Sequence, residues 1–171
     1  PDRVPEYINR AFSLATSGRP GPVVLVTPED MLTQATKAKV RAFNPVVKGE
    51  MPQKGLDALI RKFKKSKRPL FIIGGSGWTD GSCDNFHNFV NENSLPVTTS
   101  FRRQDLFDHK DKNYVGSFGT SVSPELTASV AESDLIVVLG ARLGEMTTNG
   151  YTTLNPQRHS KDMIHIHVDP S

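Results

Sequence analysis

The sequence predicts an α/β protein: a Rossmann-like, doubly wound parallel sheet of about six strands in three α/β/α layers. Three observations predict it. From Gly55 onward, amphipathic stretches at helical spacing alternate with short apolar runs. Those runs are fields of Ile, Val and Leu without polar alternation, as in strands buried on both faces. Two of them run straight into glycine turns, Pro69-Leu-Phe-Ile-Ile-Gly-Gly-Ser-Gly77 and Asp134-Leu-Ile-Val-Val-Leu-Gly-Ala-Arg-Leu-Gly144. Ligands bind outside the carboxyl ends of strands in an open α/β sheet, so this pair locates the candidate site.

Val4, Tyr7, Ile8, Ala11, Phe12 and Ala15 recur at helical spacing, and Gly18 supplies a stop. Arg19-Pro-Gly-Pro then leads into Val23-Val-Leu-Val26, read as a short strand ended by Thr27-Pro28. Between Glu29 and Gln53 periodicity is weak and Asn44-Pro45, Gly49 and Met51-Pro52 punctuate the chain, which marks a linker. Leu56, Leu59, Ile60 and Phe63 form one face of a helix that Pro69 ends, and a strand follows over Leu70–Ile73. Cys83, Phe86, Phe89 and Val90 give the next helix, and Leu95–Thr99 a short strand. Residues 100–122, rich in charge and glycine, read as loop. Ser123-Pro-Glu125 combines a cap, a proline at the first helical position and an early acid, so a helix starts there and runs to about Ser133. Strands follow at Leu135–Leu139 and, after a long loop, Met163–Val168. Three segments result: 1–30, a helix and strand lacking partners; 31–54, a linker; and 55–171, the sheet domain.

Bulk composition narrows the function. The chain has 171 residues, 36% hydrophobic and 23% charged, which suits one domain with a piece of another attached. It begins Pro-Asp-Arg-Val-Pro, with neither an initiator Met nor a signal pattern, so it reads as part of something longer. No apolar run approaches a membrane span, so no membrane partner is expected. The single cysteine, Cys83, excludes an internal disulfide and fits a reducing, cytoplasmic setting. Its place on a helix's apolar face makes it a small core residue. Most of the net charge of +3 comes from Arg61–Arg68. That run is the solvated face and basic end of a helix, which the helix dipole favours. No aromatic platform accompanies it, so nucleic acid is not expected as a partner.

The first glycine turn is Gly74-Gly75-Ser76-Gly77-Trp-Thr-Asp-Gly81. It is either a cradle in which backbone approaches an anionic ligand or a tight strand-to-helix turn. The dinucleotide fingerprint Gly-x-Gly-x-x-Gly is missed by one residue. Gly140-Ala141-Arg142 places a guanidinium at a strand's carboxyl end, where it can reach a phosphate bidentately or pair with Glu145 or Asp134. A third turn, Gly116-Ser-Phe-Gly119, would line the same edge. His165-Ile-His-Val-Asp169 aligns two histidines and a carboxylate on one strand face. Such a face binds zinc in some proteins, but Pro170 stands where a further His would be wanted. Sheet histidines beside a strand-end Asp169 bonding a ribose hydroxyl is the more economical reading. No nucleophile–base pairing is evident, His109 looks exposed and unpartnered, and no catalytic or metal-binding residue is expected in the chain.

Several of these stretches resemble thiamine-diphosphate-dependent enzymes of the acetolactate synthase group. Arg3-Val-Pro-Glu-Tyr-Ile-Asn-Arg-Ala-Phe12 and Ser17-Gly-Arg-Pro-Gly-Pro-Val-Val-Leu-Val-Thr-Pro-Glu-Asp30 are similar to the end of their N-terminal, pyrimidine-binding domain. Residues from Leu56 onward resemble their central domain. Arg102-Arg-Gln-Asp-Leu-Phe-Asp-His109, Asn113-Tyr-Val-Gly116, Leu139-Gly-Ala-Arg-Leu-Gly-Glu-Met-Thr-Thr148 and the closing Ile164-His-Ile-His-Val-Asp-Pro170 carry the likeness. The resemblance implies a parent 2-oxo acid carboligase or decarboxylase using thiamine diphosphate and magnesium. It also implies that the parent's catalytic glutamate and Gly-Asp-Gly metal motif lie in N- and C-terminal domains outside this chain, which alone would not perform the thiamine chemistry. The parent would be a homodimer or homotetramer.

In that family the central domain holds FAD, ADP or nothing. By resemblance Gly74, Gly75 and Gly77, with Ser76 in the same turn, lie by the ligand's phosphates, as do Gly140, Ala141 and Arg142. Asp169 lies near the adenosine ribose, and Ser100 and Phe101 run past the flavin. The sequence departs from synthases where they carry Thr-Leu-Met-Gly and Gly-Met-His-Gly, having Ser100-Phe-Arg-Arg103 and Gly116-Ser-Phe-Gly119. Two arginines suit a phosphate or acyl-CoA better than a neutral isoalloxazine. A free-standing NAD- or adenine-nucleotide-binding module and a purely structural domain with an empty cleft are the alternatives.

Overall fold

A computed structural model of the chain describes residues 1–40, 42, 45–46, 49–155 and 162–168. It divides into two compact units, Pro1–Glu50 and Met51–Pro170. In the first, α1 spans Val4–Thr16 and a single turn, α2, spans Glu29–Leu32. The strand expected at Val23–Val26 does not form: the segment joins no sheet among the described residues, and Val24 and Val26 are 85% and 83% exposed. An isolated apolar run has the propensity of a strand but no ladder to join.

The second unit is a five-stranded, all-parallel sheet, one strand fewer than the sequence predicts. Its elements are α3 (Gln53–Lys65), β1 (Pro69–Ile73), α4 (Asp80–Asn93), β2 (Val97–Thr99), a 3-10 turn at Gln104–Leu106, β3 (Tyr114–Ser117), α5 (Pro124–Glu132), β4 (Leu135–Leu139) and β5 (Asp162–Ile166). The strand order β3-β2-β1-β4-β5 puts β1 at the centre, flanked by β2 and β4.

Residues 100–122, expected to be loop, contain the 3-10 turn and β3. Nothing apolar and continuous announces β3. It enters the sheet through a bulge, with Val97 opposite Tyr114 and Thr99 opposite Ser117, two residues on β3 facing one on β2. Gly116, with φ +115°, supplies the backbone geometry, and its carbonyl accepts from Thr98 Oγ1 at 2.8 Å.

Period-two alternation along the central strands builds two cores, one on each face. Leu70, Ile72, Ile136 and Val138 point to one face, where Leu126 and Val130 of α5 and Phe118 pack. Phe71, Ile73, Leu135 and Val137 point to the other, against Phe86 and Val90 of α4 and, from α3, Leu59 and Phe63. Helices therefore cover both faces, giving the three expected layers. Cys83, expected in the core, packs at the rim of the second cluster and is only half-buried. Burial pushes its thiol up, and the nearby Asp80 and Asp84 add to the shift.

Caps fix where α4 and α5 begin, and so where the chain leaves the site. Thr79 and Ser82 form a reciprocal capping box at α4, the Ser82 amide donating to Thr79 Oγ1 at 3.2 Å and the Thr79 amide to Ser82 Oγ at 2.7 Å. Ser123 caps α5, accepting from the Leu126 amide at 3.2 Å. Among the described residues no helix is long and apolar enough to cross a membrane.

Candidate functional site: the carboxyl edge of the sheet

The strands end in register, and each chain bonds the neighbouring strand as it leaves. The Gly74 amide donates to Leu139 O at 3.0 Å, Ser100 to Ile73 O at 2.8 Å, Phe118 to Thr99 O at 2.8 Å and Gly140 to Ile166 O at 2.8 Å. These bonds occupy the last strand carbonyls. The amides that come next are different: among the described residues, those of Gly75, Ser76 and Gly77 and of Ala141 and Arg142 donate to no acceptor. Ala141 is fully buried, which leaves the amides of Gly75, Ser76, Gly77 and Arg142 as the accessible donors at the ends of β1 and β4.

The glycines at this edge are required by close approach. Gly75, with φ +70°, lies against the second turn so tightly that a Cβ there would sit 1.8 Å from Gly140 O. Gly140 itself has φ +71°. A Cβ on Gly74 would meet Ser100 Oγ at 1.9 Å and the Ala141 methyl at 2.9 Å. The structure thus brings Gly74, Gly75, Ser100, Gly140 and Ala141 together from the ends of β1, β2 and β4. Gly77, with φ +90°, has open space around its missing Cβ, and Ser76 beside it is exposed.

The other expected site residues distribute unevenly. Phe101 packs on the third turn, since a Cβ on Gly119 would lie 3.0 Å from its ring. Gly116 does not reach the edge: it sits inside β3 facing Leu126 and Ser123, at 3.8 Å. Arg142 is exposed and has no ion pair among the described residues. Its possible partner Asp134 is committed elsewhere, accepting from Ser66 Oγ and from the amides of Lys67 at 2.8 Å and Arg68 at 3.1 Å. Asp169 lies outside the described residues.

Arg102 and Arg103 behave differently from one another. Arg103 forks onto Asp105 at 3.1 and 3.0 Å and holds that carboxyl below its ordinary range. Arg102, in the left-handed region at φ +60°, stacks its guanidinium 5.2 Å above the Phe101 ring and has no carboxylate partner among the described residues.

Two side chains absent from the expected site act on its backbone. Trp78 Nε1 donates to Gly74 O at 2.8 Å. His165 Nε2 lies 2.8 Å from Ala141 O and, because a carbonyl only accepts, is the donor. The histidine pair read from the sequence as zinc ligands or sheet residues thus includes a turn-holding group; the His165 and His167 rings are 5.4 Å apart. Among the described residues, no cluster of three or more His, Cys, Asp or Glu could hold a metal ion. A tryptophan four residues beyond a turn glycine is a local signal for the first contact. The second joins residues 24 apart and has no local signal.

Two further corrections concern histidines. His109 is exposed but not unpartnered: its Nε2 donates to Gln104 O at 2.8 Å and its ring stacks on Tyr114 with centroids 4.7 Å apart. His87, unremarked in the sequence, lies 2.7 Å from Asp111, which also accepts from the Asn113 amide at 2.8 Å. That amide is the largest cause holding the Asp111 carboxyl below its ordinary value. This network leads into the amino end of β3, away from the glycine edge. An open groove in the first unit, lined by Asp2, Glu6, Arg10, Lys37 and Lys39 among others, shows no comparable convergence. Its Glu6 is shared between Arg3 at 3.0 Å and Arg10 at 3.6 Å.

Comparison with known proteins agrees with this architecture. Residues 56–171 match the family described as thiamine pyrophosphate enzyme, central domain. The chain is 32% identical over 178 aligned positions to the acetolactate synthase large subunit of Haemophilus influenzae, covering 98% of this chain and 30% of that protein. It is 28% identical over 176 positions to the acetolactate synthase isozyme 3 large subunit of Escherichia coli, with the same shares of 98% and 30%. The large subunit from Corynebacterium glutamicum is 23% identical over 177 positions, covering 100% of this chain and 28% of that protein. The 171 residues span about 30% of the curated relatives matched first.

Proposed function

Because the chain belongs to the thiamine pyrophosphate enzymes by their central domain, we propose that its glycine edge holds the diphosphate of an adenine nucleotide. The parent protein is read as a thiamine-diphosphate- and magnesium-dependent 2-oxo acid carboligase or decarboxylase of acetolactate synthase type, and this domain as its nucleotide-binding scaffold. The observation that carries the nucleotide reading is the set of amides at Gly75–Gly77 and Arg142 that have no acceptor among the described residues, beside glycines whose Cβ atoms would collide. Backbone donors at strand ends bind phosphate oxygens, and Arg142 adds a charge able to bond one bidentately.

ADP is favoured over FAD. Arg102 stands exposed on Phe101, in the stretch that resemblance places along the flavin, and a guanidinium without a carboxylate partner among the described residues suits an anion better than a neutral ring. Thiamine diphosphate and magnesium belong, in this reading, to domains on either side. Residues 1–30 are read as the closing helix and strand of the N-terminal pyrimidine-binding domain, 31–54 as a linker and 55–171 as the central domain. The exposed Val24 and Val26 support that reading, since an exposed apolar segment of this kind takes a sheet partner. A cytoplasmic homodimer or homotetramer completes the proposal, in keeping with the lone Cys83.

Calorimetric titration of the chain with ADP, FAD and NAD tests it. Saturable heat is expected with ADP, and Arg142→Ala should weaken binding about tenfold, the loss of one charge-assisted contact. Heat with NAD alone would make the chain an NAD module, and heat with none of the three would leave the glycines as turn-formers only.

A further inference from the structure

A backbone cradle selects anions only if its carbonyls are kept out of it. Every peptide unit that brings an N–H to a turn also brings a C=O, and a carbonyl turned toward a phosphate repels it. The last strand carbonyls Ile73, Thr99, Leu139 and Ile166 accept from neighbouring chain amides. In the turns beyond the sheet ladder, Gly74 O and Ala141 O are each bonded by a side chain, Trp78 Nε1 and His165 Nε2, both at 2.8 Å; each carbonyl shares its peptide unit with the amide of the next residue, Gly75 and Arg142.

We infer that Trp78 and His165 are positioning residues that hold these two carbonyls back, so that the turn amides project as donors and the cleft is selective for a diphosphate. The inference rests on the nucleotide reading for its ligand class and goes beyond it in assigning how the selectivity arises. The side chains are suited to the task. An indole N–H has donor capacity and no acceptor, and imidazole Nε2 must carry its proton to bond a carbonyl in either charge state. They also come from different elements. Trp78 belongs to the turn of β1, packed against Phe86 of α4 with ring centroids 5.8 Å apart. His165 is on β5, registered opposite Val138 of β4. The Gly140–Ala141 turn is therefore gripped from both sides, by the Gly74–Gly75 backbone that it touches and by the strand beyond it.

Titration of the whole chain with inorganic pyrophosphate, followed through the backbone amide resonances of Gly75, Ser76, Gly77 and Arg142, tests the inference. In the wild type these amides should shift together and saturate. Trp78→Phe and His165→Leu should each weaken pyrophosphate binding about fivefold, the worth of one orienting hydrogen bond. His165→Gln, whose amide donates from a similar reach, should stay within about twofold of wild type, a rescue that loss of packing alone does not give. If His165→Leu fails to fold, Trp78→Phe carries the same expectation. Unshifted wild-type amides, undiminished affinity in Trp78→Phe or His165→Leu, or a His165→Gln as weak as His165→Leu would each overturn it. Pyrophosphate binding without ADP or FAD binding would sink the adenine-nucleotide reading and leave this inference standing.

Discussion

At Gly75 the chain shows how little freedom the site has. Its φ of +70° costs a side-chain-bearing residue about 1–2 kcal/mol. A Cβ there would also drive into Gly140 O, which is backbone and cannot swing aside. Overpacking of that kind adds about 1–3 kcal/mol, so Gly75→Ala is expected to lower stability by roughly 3 kcal/mol in urea unfolding. Gly77→Ala, at φ +90° but with nothing near its Cβ, should lose only the backbone part, about 1–2 kcal/mol. Equal losses in the two variants would show that the contact with Gly140 does not constrain the fold. The sequence supplied both glycines as candidates; only the structure distinguishes a glycine pressed against backbone from one facing open space.

Among the elements, the corner where α3 turns into β1 is fastened by one carboxylate from the α5–β4 corner. Asp134 accepts from the Ser66 hydroxyl and from the Lys67 and Arg68 amides. The Ser66 bond first, and then the Lys67 amide, hold its pKa well below the usual carboxylate range, to about 2. A carboxyl whose folded pKa is depressed contributes stability above its unfolded pKa and loses it as pH falls through the folded value. The chain should therefore lose stability from Asp134 between about pH 4 and pH 2, and Asp134→Asn should flatten the stability profile over that window. An unchanged slope would mean that the corner does not depend on the charge. Asp134 was legible in the sequence only as a possible partner for Arg142. The pairing it makes instead joins residues 66 to 68 positions away, which no local pattern reveals.

The whole molecule is two units of unequal self-sufficiency. Met51–Pro170 has a core on each sheet face, whereas α1 and α2 bury no residue completely. Residues 51–171 alone are expected to unfold in one cooperative transition with a midpoint within a few degrees of the full chain; a broad or early melt would show that the core needs the first unit. By itself the sequence determined the parallel α/β class, four of the five strands, all the long helices and the two glycine turns. Each of these follows from local apolar periodicity, caps and glycine. Tertiary structure alone decided the rest. Val23–Val26 has a strand's composition but no ladder partner among the described residues, while Tyr114–Ser117, lacking that composition, is a strand because β2 offers it one through the Gly116 bulge. The contact of His165 with the Ala141 carbonyl, and the approach of Gly75 to Gly140, likewise arise only when strands distant in sequence end side by side.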